Sequence, residues 1–275
     1  MRIRPPSPGL CLVAALAALC AASPSARAEL ATGTYTGNAQ DNFAITGVGF
    51  PPDLVIVKGD VNEYAVCRTA SMSGDMAKPL AADAGVASNL IQSFLPDGFV
   101  IGSDLAVNTI TKRYDWVALR AVPGEMAYGS YFGDGLDDRD IGGLGFRPDF
   151  VIVMSEGNRA AWVRTPYMVG DLSATFRTAN AAANRIQQLA ADGFQVGSDS
   201  GVNGAGIRYH WVACRALPER LAVGYYVGDA SDNRDIDGLG FAPQYVLLTT
   251  ESDTGAPERP ASLGNSDLTL LFANA

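Results

Sequence analysis

The chain has 275 residues, with 20 Lys and Arg against 29 Asp and Glu, for a formal net charge of −9 at pH 7. An acidic surface of this kind repels nucleic acid and anionic membranes, which excludes both as main partners and favours solubility. Only one histidine, His210, is present, so a zinc site built from Cys and His ligands is excluded as well.

Residues 1–28 have the composition of a secretory signal peptide. Arg2 and Arg4 precede an apolar run of 13 residues (10–22), and Ala26-Arg27-Ala28 fits the small-x-small pattern of signal peptidase sites. The run is shorter than the roughly 20 residues that a membrane-spanning helix needs. We therefore expect cleavage before Glu29 and a periplasmic or secreted product with 17 basic and 29 acidic side chains, a net charge of −12.

A unit of about 95 residues recurs along the rest of the chain. The segment GTYTGN and the later segment GFPPDLVIV each have two further copies, at offsets of 96 and then 95 residues. Their positions are 33–38, 129–134 and 224–229 for the first segment, and 49–57, 145–153 and 240–248 for the second. The later part of the unit occurs only twice, in 91–102 with 186–197 and in 114–118 with 209–213. This pattern predicts a first repeat at 29–127, a second at 128–222 and a partial third at 223–275.

The periodicity within each unit is that of short strands. Asp97-Gly98 and Asp192-Gly193 each lie between two apolar runs, which predicts tight hairpin turns. About seven short strands per unit indicate an all-β fold of tandem antiparallel β-sandwich repeats, jelly-roll-like or H-type-lectin-like. A short stretch at 181–189 is compatible either with a helix or with a loop that leads into a strand.

Tryptophans and cysteines in the apolar runs are expected to be buried. Trp116 and Trp211 occupy the same register in two copies, which favours core indoles over ligand-stacking platforms, and each unit is expected to bury its own core. Cys67 and Cys214 correspond to Val163 and Leu119 in the other copy, so buried free thiols are favoured over a disulfide between copies.

Acidic loops follow the first strand of the second and third copies. Clustered carboxylates on a turn can hold Ca²⁺, whereas Asp side chains in turns also bond to their own backbone, so a calcium site is one of two interpretations. No other cofactor is expected. The candidate calcium ligands are Asp134, Asp137, Asp138, Asp140, Asp229, Asp232 and Asp235.

Candidate ligand-binding residues recur at two further places. An arginine repeats at one register in all three copies, where it could clamp a carboxylate or sugar hydroxyl, or else pair with the acidic loops. A polar loop also repeats, and loops at one end of a sandwich are common binding sites. The candidates are Arg68, Arg164 and Arg259 at the first place, Asp104, Asn108, Asp199 and Asn203 in the loop, and Trp162 as an unrepeated aromatic beside Tyr167 and Tyr226.

Enzymatic patterns are weak in this sequence. A serine nucleophile needs a base, and His210 stands where the sister copy has Asp115, so we expect a solvent-facing histidine. A pair of carboxylates for sugar hydrolysis cannot be identified from spacing alone, and Asp137 with Asp138 is the pair to test.

The repeated patterns resemble a known family over residues 33–248. Tyr-x-Gly-[Asn/Asp], Gly-[Val/Leu]-Gly-Phe-x-Pro, Asp-Gly-Phe and Trp-Val-Ala are similar to a repeated β domain of phage tail-fibre-type and secreted bacterial proteins. That resemblance implies a surface or virion accessory role and supplies no catalytic residues. Fewer features, namely Pro52 with Val55, Gly98-Phe99 and Trp116-Val117-Ala118, are similar to H-type lectins, sandwiches that bind sugars as oligomers.

Three functions follow as hypotheses. The first is a secreted, non-catalytic module that binds a glycan or another cell-surface component through sandwich loops. The second is a structural repeat of a fibre, coat or envelope, which self-associates through the strand edges of the C-terminal half repeat. The third is a polysaccharide hydrolase.

Overall fold

The computed structural model describes residues 29–252, 256–264 and 269–273. The predicted signal peptide lies outside these residues. We refer below to a first segment (29–120), a second segment (126–214) and a third segment (222–273).

The described residues form an almost entirely antiparallel β structure, which confirms the all-β prediction. The first segment contains β1 (Glu29–Thr36), β2 (Phe43–Thr46), β3 (Leu54–Gly59), β4 (Val66–Thr69), β5 (Lys78–Pro79), β6 (Ile91–Leu95), β7 (Gly98–Ile101), α1 (Leu105–Asn108) and β8 (Arg113–Arg120). The second contains β9 (Met126–Phe132), β10 (Arg139–Gly142), β11 (Phe150–Ser155), β12 (Trp162–Arg164), β13 (Ala174–Thr175), β14 (Ile186–Ala190), β15 (Gly193–Val196) and β16 (Arg208–Cys214). The third contains β17 (Tyr245–Leu247), β18 (Pro257–Pro260), a 3₁₀ turn (Ala261–Leu263) and β19 (Leu270–Leu271).

The first two segments have the same strand orders. Each has a five-stranded sheet, β1-β8-β3-β4-β5 and β9-β16-β11-β12-β13, and a three-stranded sheet, β2-β7-β6 and β10-β15-β14. The third segment has one sheet, β17-β18-β19, in which β17 is an edge strand. The stretch 181–189 runs as a loop into β14, so the strand interpretation of that stretch is confirmed and the helix is not formed.

Both Asp-Gly pairs lie at predicted hairpins, β6–β7 and β14–β15. Gly98 begins the second strand of the first hairpin with φ +153°, and a Cβ there would lie 2.0 Å from the Ile45 carbonyl oxygen of β2, so only glycine fits this position. The Asp97 carboxylate accepts hydrogen bonds from the backbone N–H groups of Gly47 and Gly49. The pair therefore fixes the turn and the neighbouring loop together.

Each five-stranded sheet is buried on both faces. Val55 and Val57 of β3 point into a core of the first segment, while Leu54 and Ile56 point to the opposite face. Such an unbroken apolar run is what a strand covered on both sides requires. Trp116 belongs to the core of the first segment, which confirms the prediction of a core indole. Trp211 has the same place in the second segment.

The first and second segments each bury a core of their own, as expected, and a further, central core is shared by all three segments. It contains Ile56 of the first segment, Ile152 of the second and Phe272 of the third, and Phe272 packs on Phe176 with ring centroids 4.8 Å apart. The free thiols of Cys67 and Cys214 also pack in or against it, as predicted. Backbone hydrogen bonds around this core join Ala161 to Leu80, Ala65 to Phe272 and Ala181 to Glu251.

Candidate functional site

A polar cavity of about 230 Å³ lies where the second segment meets the loop after β5 of the first. Its lining combines three arginines, two aspartates and one tryptophan. The lining residues are Asp83, Arg159, Ala160, Trp162, Arg177, Arg185, Asp199 and Ser200. Of the residues predicted from the sequence to bind a ligand, Trp162 and Asp199 meet here.

Trp162 forms the floor of this arginine cavity. It is 6% exposed in β12, and the guanidinium carbon of Arg185 lies 4.7 Å from its ring centroid, a cation–π contact. Arg185 also forms an ion pair with Asp199, with Nη2 3.0 Å from Oδ2. The chain passes close to the indole at Gly201, where a Cβ would lie 2.5 Å from Trp162 Nε1. A side chain at position 201 would therefore displace the indole.

The opposite side of the cavity is built across the boundary between the segments. Asp83 of the first segment pairs with Arg177 of the second and accepts a hydrogen bond of 3.1 Å from the Ala160 backbone N–H. Arg159 donates from Nε to Ser200 Oγ over 3.1 Å. The side of the cavity therefore depends on how the two segments pack.

A buried lysine holds the loop that carries Arg159. Lys78 is fully buried in β5, and its ammonium donates to the carbonyl oxygens of Arg159 (2.7 Å) and Gly157 (3.3 Å). Burial lowers the pKa of Lys78 to about 7, and Asp83 opposes that shift. Lys78 thus fixes the backbone at the cavity rim from within the first segment.

The cavity has an excess of positive charge and unused donors. Three guanidinium groups face two carboxylates, in a chain whose net charge is −9. The Nε atoms of Arg177 and Arg185 are buried and have no hydrogen-bond partner among the described residues. An anionic or polyhydroxylated ligand in the cavity would meet the three arginine side chains that line it.

The residues of this cavity depart from the repeat pattern. At the offsets of the repeat, Trp162 corresponds to Val66, Arg159 to Glu63 and Arg185 to Leu90. Sequence reasoning missed the three arginines because it looked for recurrence. The signal that finds them is a cluster of arginines present in one copy and absent from the other.

The recurring arginines are placed differently from a ligand clamp. Arg68 is 6% exposed and donates to the carbonyl oxygens of Gly74 (2.7 Å) and Ile91 (3.3 Å). Arg164 is equally buried and donates to the carbonyl of Gly170. Burial lowers the pKa of both guanidinium groups. The third, Arg259, donates to the Gly264 carbonyl over 2.8 Å.

The recurring polar loop is also occupied by internal contacts. Asn108 is fully buried and donates to the carbonyl oxygens of Gln40 and Gly102, and Asp104 caps α1 by accepting from the Ala106 N–H. Asn203 is buried in the same way and donates to the Leu136 carbonyl and to the Asp134 carboxylate. Among these loop candidates, Asp199 alone lines the cavity.

The candidate calcium ligands are dispersed over separate contacts. Asp134 pairs with Arg139 and accepts from the Leu136 N–H, which lowers its pKa. Asp137 and Asp140 accept from glutamine side chains, Asp138 adopts φ +56°, Asp229 pairs with Arg234, and Asp232 accepts from Asn233. Asp235 is exposed. Within 29–252, 256–264 and 269–273, no three His, Cys, Asp or Glu side chains are grouped so as to hold a metal ion.

His210 is buried, at 1% exposure, so the prediction of a solvent-facing histidine is wrong. Its Nδ1 lies 2.8 Å from Ser71 Oγ and its Nε2 lies 2.9 Å from Glu156 Oε1. Burial is the main cause that lowers the pKa of His210, against the influence of Glu156. A serine, a histidine and a carboxylate in series are the components of a catalytic triad.

A corresponding contact between the third and first segments indicates that the Ser71–His210 contact is a joint, a hydrogen-bonded contact that links two segments. Ser262 occupies the position in the third segment that Ser71 occupies in the first, and it donates to Asp115 Oδ1 over 2.5 Å. Asp115 in turn occupies the position of His210. In both cases a serine that follows β4 or β18 contacts the last strand of another segment, β16 or β8. None of these residues lines the arginine cavity.

Comparison of the chain with protein-family models, with curated proteins and with solved structures gives no match. The helices of the described residues are a single turn each, and none has the length and apolar character to cross a bilayer.

Proposed function

We propose that this protein is a secreted, non-catalytic binding module whose ligand is a glycan bearing carboxylate or sulfate groups. The ligand site is the arginine cavity between the first and second segments. The scaffold is a tandem array of β-sandwiches of about 95 residues, similar in plan to H-type lectins, in which the second copy has acquired the binding residues. The observation that carries the proposal is the convergence of Arg159, Arg177 and Arg185 with Trp162 in one cavity.

The chemistry of the cavity suits a charged sugar. A guanidinium presents paired donors that match a carboxylate or sulfate, and such pairs are shorter and stronger than neutral hydrogen bonds. The present partners, Asp83 and Asp199, are partly exposed, and exposed ion pairs contribute little free energy. A ligand carboxylate can therefore replace one of them at small cost. The cation–π contact with Trp162 holds the Arg185 guanidinium in place at the cavity.

A titration with an acidic oligosaccharide tests the proposal. We expect an oligogalacturonide to change the tryptophan fluorescence of the protein at micromolar to millimolar concentration, whereas a neutral maltooligosaccharide has little effect. Arg185→Gln and Arg159→Gln should each weaken binding about tenfold, which corresponds to about 1.4 kcal/mol. Trp162→Phe should remove most of the fluorescence change, because Trp162 lines the cavity and Trp116 and Trp211 do not.

The matched control is Arg120→Gln, which breaks a surface ion pair with Glu29 outside the cavity lining and should leave affinity unchanged. A glycan array and titrations in which no acidic glycan binds, with and without calcium, would rule the proposal out. Equal weakening by Arg120→Gln and Arg185→Gln would show a general charge effect and remove the cavity from the assignment.

A further inference from the structure

The third segment has a free strand edge where the other two segments have their last strand. In the first segment β8 lies between β1 and β3, and in the second β16 lies between β9 and β11. Among the described residues, β17 pairs with β18 alone. Residues 224–229, which match β1 and β9 in sequence, are exposed and form no strand.

Gly224 and Gly228 of this unpaired stretch match glycines that are closely packed in the other two segments. A Cβ at Gly33 would lie 2.4 Å from the Trp116 ring, and a Cβ at Gly129 would lie 2.6 Å from the Trp211 ring. The glycine is thus required in each case because the indole of the last strand lies on the backbone. The corresponding Gly224 has no atom within 4 Å. The third segment therefore has a tryptophan seat, meaning space beside Gly224 for an indole that no described residue fills.

A second glycine repeats this difference. A Cβ at Gly37 would lie 2.1 Å from the Thr109 carbonyl oxygen, and a Cβ at Gly133 would lie 2.2 Å from that of Gly204. These carbonyls belong to the loop that enters the last strand. Gly228 again has no atom within 4 Å.

Large apolar side chains of the third segment are exposed. Tyr225 and Val227 are each 75% exposed, and they lie on the stretch that matches buried strands elsewhere. Tyr226, Ile236, Leu239 and Leu248 of the same segment are exposed as well. Concentrated apolar exposure of this kind marks an interaction surface.

The joint between segments is incomplete at the same place. Ser71 contacts His210 in β16, and Ser262 contacts Asp115 in β8. The residue of the second segment at this position is Tyr167, which is 49% exposed and contacts the Tyr225 ring, with centroids 5.4 Å apart, instead of a last strand. The last strand of a complete third unit would lie beside Tyr167.

We propose that the third segment binds an added β-strand of the pattern Tyr-x-Trp-Val-Ala, which a polypeptide segment outside residues 29–275 donates. The donated strand adds to the free edge of β17 by main-chain hydrogen bonds and orders residues 224–229 on its other side. Its tryptophan lies opposite Gly224 and beside Leu248, as Trp116 lies between Gly33 and Val57. This proposal is independent of the glycan site.

The donor also contains a hairpin ahead of the strand. Phe99 packs edge-on against Trp116 with centroids 5.8 Å apart, and Phe194 packs in the same way against Trp211 at 5.7 Å. A donor that reads Asp-Gly-Phe before Tyr-x-Trp-Val-Ala covers its own indole. A folded second copy of this chain does not fit, because β8 and β16 are already paired on both sides.

A peptide binding experiment tests the proposal with the purified full chain. The probe is a peptide of residues 184–216 of this sequence, which carries the hairpin and the strand, fused to a soluble carrier protein. We expect saturable one-to-one binding and new hydrogen-exchange protection at 224–229 and 245–248. Trp211→Asp in the peptide should weaken binding at least tenfold.

Gly224→Val in the full chain is the matched variant, since a side chain there meets no atom in the unbound protein but would fill the tryptophan seat. It should leave the melting temperature unchanged and weaken peptide binding at least tenfold. Absence of binding to the wild-type chain, or binding that Gly224→Val leaves unchanged, would overturn the proposal. A dimer of the chain alone, with 224–229 already protected, would overturn it in favour of a second copy. Glycan titration of the same samples is unaffected by either result, so the two proposals fail separately.

Discussion

The second and third segments share a nearly identical sequence motif, but the motif adopts a different structure in each. GSYFGD at 129–134 begins in strand β9, whereas GYYVGD at 224–229 is exposed and unpaired. β9 pairs with β16 alone, so its strand depends on partner residues that lie 76 to 88 positions away in the sequence. The difference shows that the first strand of the unit forms only when it pairs with the last strand, and that its local sequence is not sufficient to make it a strand.

The largest expected effect comes from the same substitution at the two corresponding glycines. Gly129→Val forces a side chain into the Trp211 ring and should lower the free energy of unfolding by about 3 kcal/mol or more. Gly224→Val meets no atom and should change it by less than about 0.5 kcal/mol. Denaturant titration of both variants measures the difference. Similar losses in both would mean that the third segment already holds a partner strand.

A buried carboxyl marks the third segment in the shared core. Glu258 occupies the position of Cys67 and Val163, is 3% exposed and accepts a hydrogen bond from the Tyr245 hydroxyl. Burial raises its pKa from 4.5 to about 7, against the effects of Tyr245 and Lys58. The protonated form is therefore the one that the fold prefers.

The second prediction concerns the pH dependence that Glu258 causes. Its folded pKa is above its unfolded pKa, so its contribution to stability is complete below pH 4.5 and is lost as the pH rises to about 7. The loss of stability amounts to about 3 kcal/mol. Glu258→Gln keeps an acceptor for Tyr245 and should flatten this part of the profile, as measured by unfolding at each pH. Glu251→Gln, at an exposed site of the same segment, is the control, and an equal flattening there would contradict the assignment.

How much of the fold could be predicted from the sequence depends on how far apart in the chain the contacting residues lie. The Asp97-Gly98 hairpin and the Trp116 core position were predictable because a turn and an apolar strand are local features. The shared core was not, because a strand with two buried faces reads the same whether the second face meets its own unit or another.

The candidate site divides in the same way. Trp162 and Asp199 could be singled out from the sequence as an unrepeated aromatic and a loop carboxylate. Their neighbours Arg177 and Asp83 come together only because two segments pack, and no spacing along the chain encodes that contact. The burial of His210 was missed for the same reason, since its partner Ser71 is 139 residues away.

The smallest predicted effect concerns the two serine joints, which differ in the group that each serine meets. Ser71 meets the imidazole of His210, and Ser71→Ala should lower the free energy of unfolding by about 1 kcal/mol. Ser262 meets the carboxylate of Asp115, and Ser262→Ala should lower it by about 1.5 kcal/mol, because hydrogen bonds to charged groups are stronger. Ser231→Ala, at an exposed site, is the control and should have no effect.

The pH separates the two joints further. Burial lowers the pKa of His210 below its unfolded value of 6.5, so the stability that its neutral form contributes is present above pH 6.5 and is lost as the pH falls through the folded pKa. Its contribution thus runs opposite to that of Glu258, and His210→Gln should remove the acid loss while leaving the Glu258 effect in place. Unfolding curves of the single and double variants, measured across this range, isolate each contribution. A His210→Gln variant that keeps the full loss below pH 6.5 would show that the imidazole is not what ties β16 to the first segment, because a buried joint of this kind must lose stability when its histidine takes up a proton.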